Sequence, residues 1–86
     1  MLESMKLALR ITTDDFNDQI QDGIDYVKKE LHTLGVQFYS IDDARIKRLV
    51  ELHLKEVFNY ENKGDWYAKK YQDLMNQITL QEDYIS

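Results

Sequence analysis

The sequence predicts an all-α fold: a small bundle of three main helices, with a short helix at the N-terminus and a polar tail at the C-terminus. Three observations predict it. Proline is absent and glycine occurs only at Gly23, Gly35 and Gly64, so the chain has few breakers. Apolar residues recur every three or four positions through three long stretches. Short polar segments separate those stretches, and the many turn residues that an all-β fold would need are missing.

Leu2, Met5 and Leu9 lie at helical spacing and predict a short amphipathic helix over residues 2–10, too short to stand without packing. Thr12 or Thr13 is then the expected N-cap of a long helix, with Asp14 and Asp15 in its first turn, where carboxylates favour the exposed N–H groups. That helix should run to about Leu34. Its apolar residues Phe16, Ile20, Ile24, Val27, Leu31 and Leu34 are separated by 4, 4, 3, 4 and 3 positions, one continuous stripe. Gly35 is the expected C-cap. Gly23, inside the helix, costs about 1 kcal/mol relative to alanine, which close passage of a neighbouring helix would explain.

Val36 to Ser40 reads as a connector with exposed Phe38 and Tyr39, and Ser40 or Asp42 as the cap of the third helix. This helix should span about 42–60 and be the most buried. Ile46, Leu49, Val50, His53, Val57 and Phe58 share one side, and Leu52 and Leu54 widen the apolar surface. Residues 61–65 form a polar loop, with Asp65 capping a last helix that carries Tyr67, Tyr71, Leu74, Met75 and Ile78 on one face. Residues 80–86 lack periodicity and read as an extended or frayed tail.

The 86 residues make one domain, 1–86, small enough that a lone chain is marginally stable and help from partner subunits is expected. Absence of cysteine removes disulfides, thiolate metal sites and thiol nucleophiles, and suits a reducing cytoplasm. No apolar run approaches the roughly 20 residues that span a bilayer, and the N-terminus is too polar for a secretory signal, so a soluble, unprocessed chain without a membrane partner is expected. The net charge is −5, and residues 1–43 carry all of it, with nine acids and four bases against seven of each over 44–86. Such a chain is poorly suited to gripping phosphates, which excludes sequence-specific DNA binding from the expected functions.

No constellation for catalysis is present, and neither an enzyme activity nor a cofactor or metal is expected. His32 and His53 are the only histidines and fall on different helices without metal-ligand spacing. His32 reads as a surface residue, and His53 as a core or interface histidine with a hydrogen-bond partner. There is no glycine-rich phosphate loop.

Two charge patterns point to assembly. Asp14, Asp18, Asp22 and Asp25 stack at intervals of 4, 4 and 3 beside the apolar stripe of the second helix. Like charges at that spacing destabilise an isolated helix by about 0.2–0.5 kcal/mol per pair. A solvated face, a cationic partner surface, or a negative wall beside sliding DNA would each account for them. Arg45, Arg48 and Lys55 share one side of the third helix, the first two near its N-terminus, where the helix dipole disfavours positive charge. Acidic and basic patches on different helices are what a head-to-tail interface requires, and they predict salt-sensitive association. Trp66, Tyr67, Tyr60 and Tyr71 cluster around the last loop and read as core, rim or interface aromatics.

The chain as a whole resembles the phage head-tail connector family, also called head completion or adaptor proteins. The opening LESMKLALRITTDDFNDQIQDGIDYVKKEL, the central DARIKRLVELHLKEVFNYEN and the closing KKYQDLMNQITLQEDYIS carry the resemblance. It implies a structural subunit of a ring, usually dodecameric, that docks on the portal protein after genome packaging and provides the platform for a tail or stopper protein. It also implies assembly in the host cytoplasm, a place in the virion neck, and a central channel through which DNA passes. The acidic face of Asp14, Asp18, Asp22 and Asp25 would suit that channel. The family commonly has glycine before a terminal Asp-Tyr pair, where this chain has Glu82 before Asp83 and Tyr84; those two residues are the candidate partner-contact tail. The alternative is a small acidic helical regulator or adaptor acting through protein–protein binding.

Overall fold

The computed structural model describes residues 1–36 and 43–80, with Tyr60 in its backbone only. The architecture is all-α. Helix α1 spans Leu2–Ala8, α2 Asn17–Thr33, α3 Ala44–Val57 and α4 Gly64–Thr79, with a single 3-10 turn over Tyr60–Asn62. The expected tail 80–86 and the connector aromatics Phe38 and Tyr39 lie outside the described residues apart from Leu80, which is exposed.

Helix α2 starts later than its sequence suggests. Thr12 and Thr13 do not cap it; Phe16 is the N-cap and makes no side-chain cap hydrogen bond. The Thr13 hydroxyl instead accepts from the Asp15 N–H at 3.2 Å, a local turn that competes with helix. Asp14 is drawn away to the Lys6 ammonium of α1. Asp14 and Asp15 therefore sit in the α1–α2 linker, ahead of the first turn.

Two helices end alike. At the end of α2 the Gly35 N–H donates to the His32 carbonyl at 3.1 Å and the Val36 N–H to the Leu31 carbonyl at 2.9 Å. This is the pair of backward bonds of a Schellman motif. Gly35, at φ 84°, stands one position after the C-cap, and the apolar contact that completes the motif joins buried Val36 and Leu31 within the core. Helix α1 closes in the same way, Arg10 N–H to Leu7 carbonyl and Ile11 N–H to Lys6 carbonyl, but with Arg10 in the left-handed conformation at φ 59°.

Helix α3 is capped by Asp43, whose Oδ1 accepts from the Arg45 N–H at 2.8 Å and the Ile46 N–H at 3.4 Å. The expected caps, Ser40 and Asp42, lie outside the described residues, and the cap falls one residue later than the latter. The expected cap of α4, Asp65, is instead in its first turn, and N-terminal help comes from farther back. Asn59 Oδ1 accepts from the Gly64 N–H at 2.9 Å across a tight reversal in which Asn59, Glu61 and Asn62 all have positive φ.

Helix α3 is the centre of the bundle. It packs on α1, α2 and α4, most extensively on α4. Antiparallel pairing with α2 follows from Phe16 meeting Phe58 edge-on, ring centroids 5.8 Å apart, while Gly23 faces Leu54 farther along. The core contains Ile20, Ile24, Val27 and Leu31 of α2, Ile46, Leu49, Val50, Leu52 and Leu54 of α3, and Tyr67, Tyr71, Met75 and Ile78 of α4. Met5 and Leu9 of α1 close one end. The expected stripes lose their outermost members: Phe16 is 40 %, Leu34 47 % and Val57 57 % exposed. Each stands at a helix terminus, with fewer neighbours alongside to cover it.

Gly23 allows α2 to approach α3. A Cβ at this position would overlap Leu54 Cδ2 and come within 3.6 Å of the His53 ring. Leu54 is fully buried, so its methyl has no open space to move into.

Two predictions follow from these backbone and packing constraints. Gly35→Ala should lower stability by about 1 kcal/mol, and Arg10→Gly should raise it by about 0.5–1 kcal/mol, as read from urea midpoints, because only glycine adopts the left-handed region without a Cβ clash. Gly23→Ala recovers about 1 kcal/mol of helix propensity but overpacks the Leu54 contact at a cost of about 1–3 kcal/mol. A net loss is expected in the wild-type background and a net gain in a Leu54→Ala background, a reversal of sign that a double-mutant cycle would read directly.

Candidate functional site

The acidic row of α2 divides. Asp18, Asp22 and Asp25 are exposed on the helix, and Gln21 donates to Asp25 at 3.0 Å. Asp18 and Asp22 make no side-chain hydrogen bond or ion pair among the described residues. Asp14 belongs elsewhere: its carboxylate, 85 % exposed, meets the Lys6 ammonium, whose stem is packed against the bundle. The direct hydrogen bond, more than the charge alone, holds the Asp14 carboxyl below its ordinary range and lifts Lys6 above its own.

The basic row of α3 is engaged within the helix. Glu51 Oε2 takes Arg48 at 2.7 Å and Lys55 at 3.0 Å, an i,i+3 and i,i+4 pair on one carboxylate. Lys55 also lies 5.6 Å from the Tyr67 ring centroid. Such pairs near a surface add little to stability, but they reduce the positive charge the face offers to a neighbour. Arg45, one turn earlier, is exposed and likewise engaged. No ion pair joins the aspartates of α2 to the bases of α3 among the described residues.

The aromatic group near the last loop also separates. Tyr67 and Tyr71 are in the core, whereas Trp66 is half exposed, edge-on to Tyr67 at 5.0 Å and beneath the Lys70 ammonium at 5.4 Å. The Tyr60 side chain lies outside the description.

A different constellation joins the three long helices. His53 of α3 stacks on Tyr26 of α2, centroids 4.5 Å apart and planes 11° off parallel, and tilts against Tyr71 of α4 at 5.6 Å. The Tyr71 hydroxyl donates to Glu30 Oε1 at 2.8 Å, tying α4 to α2. Ring packing, not a hydrogen bond, holds His53, contrary to expectation; among the described residues its nitrogens have no protein partner. Burial pushes the His53 imidazolium down, against the opposing pull of Glu56 and Glu30. Burial first and Glu30 second push the Tyr71 phenol far up, and the Glu30 carboxylate raises Tyr26. His53 and Tyr71 were visible on their apolar faces. Tyr26 and Glu30 were not, because they flank the α2 stripe and carry no motif; the i,i+4 spacing of an aromatic and an acid beside the stripe was the available signal.

Among the described residues, no three His, Cys, Asp or Glu side chains are placed to hold a metal ion. No helix among them is long and apolar enough to cross a membrane. Among the described residues the surface is that of a helical protein with an acidic edge, a partly neutralised basic edge and a polar-aromatic seam.

Residues 1–85 match the family model described as phage connector protein. The chain belongs to the phage connector protein family. The match takes in every helix, the linkers and nearly the whole tail, so the resemblance seen in the sequence holds over the full chain. No curated protein and no solved structure gives a match. The family is a structural one, and the connector is accordingly a structural component of the phage particle that meets other virion proteins.

Within the connector, the His53 seam makes stability depend on pH. The folded-state pKa of His53 is lowered, so the unfolded chain binds the proton more readily, and stability should fall as pH drops below the ordinary histidine value near 6.5. The carboxylates Glu30 and Glu56 and the phenols Tyr26 and Tyr71 face the ring from all three helices; the two carboxylates oppose the effect without cancelling it. Urea midpoints taken between about pH 7.5 and about pH 5.5 should decline in the wild type. His53→Phe, which retains the stack and removes the proton, should flatten that decline, with exposed His32 as the untouched control.

Proposed function

We propose that the chain is one subunit of a ring, dodecameric when assembled, that docks on the portal protein after DNA packaging and forms the platform for the tail or a stopper protein. The whole-length match to the phage connector family carries this reading. The small helical bundle suits it, because a domain of this size gains stability from neighbours. Assembly takes place in the host cytoplasm, and the finished ring occupies the virion neck. The chain performs no reaction there.

The charges support one placement over another. Arg48 and Lys55 share Glu51, and Asp14 is held by Lys6, so the two rows pair with each other less well than their spacing suggests. Asp18 and Asp22 keep unpaired carboxylates beside Asp25, which favours the α2 edge as the wall of the channel. A negative wall repels phosphates and lets duplex DNA slide without sequence-specific contact. Asp83 and Tyr84 lie outside the described residues and are proposed as the tail segment that touches the portal or the next protein of the neck.

The test is removal of the gene from the phage. Loss should leave DNA-filled heads and free tails, with joining restored by the wild-type chain, and electron microscopy of restored particles should show a ring at the neck. Normal tailed particles from the deletion would overturn the reading and favour a small regulator. Replacing Asp18, Asp22 and Asp25 together by lysine should permit the ring to form while slowing DNA ejection, since bound phosphates would then hold the duplex.

A further inference from the structure

A hollow of about 230 Å3 opens between α2, α3 and α4, with Tyr26, His53 and Tyr71 as its aromatic walls and Glu30 and Glu56 as its carboxylates. The two acids lack a cation. Among the described residues neither forms an ion pair; Glu30 is bonded by the neutral Tyr71 hydroxyl, and Glu56 has no side-chain hydrogen bond. Carboxylates beside aromatic faces make a site for a positive charge, because a cation above a ring is attracted by its quadrupole while the acids supply the counter-charge. His53 strengthens this, since burial disfavours its charged form, which would repel a cation.

The protein's own cations do not fill the hollow. Lys6 is held by Asp14, Arg48 and Lys55 by Glu51, Lys63 by Glu61, and Lys70 lies over Trp66. Lys29 borders a neighbouring depression together with Tyr26 and Glu30, but it does not line this hollow and forms no ion pair with Glu30 among the described residues. With a net charge of −5, the chain is also a better match for a basic surface than for a second copy of itself.

We propose that this hollow receives an arginine side chain from a different protein of the phage particle, the guanidinium set beside the Tyr26, His53 and Tyr71 rings with Glu30 and Glu56 as its counter-charges. Arginine fits better than lysine because its planar head stacks on rings and forks to carboxylates at once. A second hollow continues past Tyr26 along the α2–α3 groove to Asp22, Val57 and Phe58, so the chain that carries the arginine has an apolar seat beside it. This accounts for the exposure of Tyr26, a large side chain in mid-helix that a purely internal role would bury. The inference rests on the connector reading and names the chemistry by which one partner is held.

The test uses the full chain and two probes, N-acetyl-arginine amide and its neutral counterpart N-acetyl-citrulline amide, followed by the NMR ring signals of Tyr26, His53 and Tyr71. The arginine probe should shift those signals saturably and the citrulline probe should not, and Glu30→Gln/Glu56→Gln should weaken the arginine response by roughly tenfold or more. Equal responses to both probes, or a response unchanged in the double variant, would overturn the site. In the particle, the double variant should fail to restore tail joining to the deletion phage while still unfolding cooperatively in urea, since glutamine keeps an oxygen to accept the Tyr71 hydroxyl; normal joining would overturn the docking role. Should the double variant abolish self-association of the purified chain, the guest is a second copy and the foreign partner is overturned. The probe titration needs no assembly, so failure of the hollow and failure of the connector reading are read separately.

Discussion

Helix α3 has to be covered on three sides, and the rest of the bundle is arranged around that requirement. Its apolar surface is wider than one stripe: Ile46, Leu49, Val50, Leu52 and Leu54 are all buried, so one flanking helix would leave part of it in water. Helices α1, α2 and α4 each contribute a strip of cover. The approach of α2 is the tightest of these constraints, because Gly23 brings the backbone of α2 against Leu54 where any side chain would intrude. A helix interior tolerates the glycine only because the packing it permits outweighs the lost propensity.

Helix ends are governed by a second constraint, the need to satisfy backbone groups while turning the chain sharply. Gly35 meets it at no steric cost, whereas Arg10, Asn59, Glu61 and Asn62 adopt left-handed conformations that side chains disfavour. These residues are concentrated at the α1–α2 and α3–α4 junctions. Asn59 offsets part of the cost by accepting the Gly64 N–H, so the same residue ends one helix and starts the next.

Charge is distributed in the same economical way. Internal pairing neutralises much of the basic surface of α3, and it removes Asp14 from the acidic row. Among the surfaces that remain available for neighbours are the edge of Asp18, Asp22 and Asp25 and the seam of Tyr26, Glu30, His53, Glu56 and Tyr71, where acids and rings converge from three helices. A structural phage protein acts through such surfaces, and here they adjoin: Asp18, Asp22, Tyr26 and Glu30 follow one another at intervals of four along α2, so the acidic edge runs into the seam.

The sequence by itself determined the helical class, the order of the described helices, the buried face of each and the Gly35 terminus, because these depend on local periodicity and on residues with few conformational choices, whereas the Leu54 contact that explains Gly23 lies across two helices. It also carried the family, since the resemblance extends along the whole chain. Only the tertiary structure decided where α2 begins, because a threonine cap competes with a contact from Asp14 to a lysine eight residues earlier. The polar-aromatic seam was likewise settled in three dimensions, because a pocket made by α2, α3 and α4 has no single stretch of sequence in which to appear; the Glu51 bridge, by contrast, follows from i,i+3 and i,i+4 spacing within α3 that a reading of the basic row alone passes over.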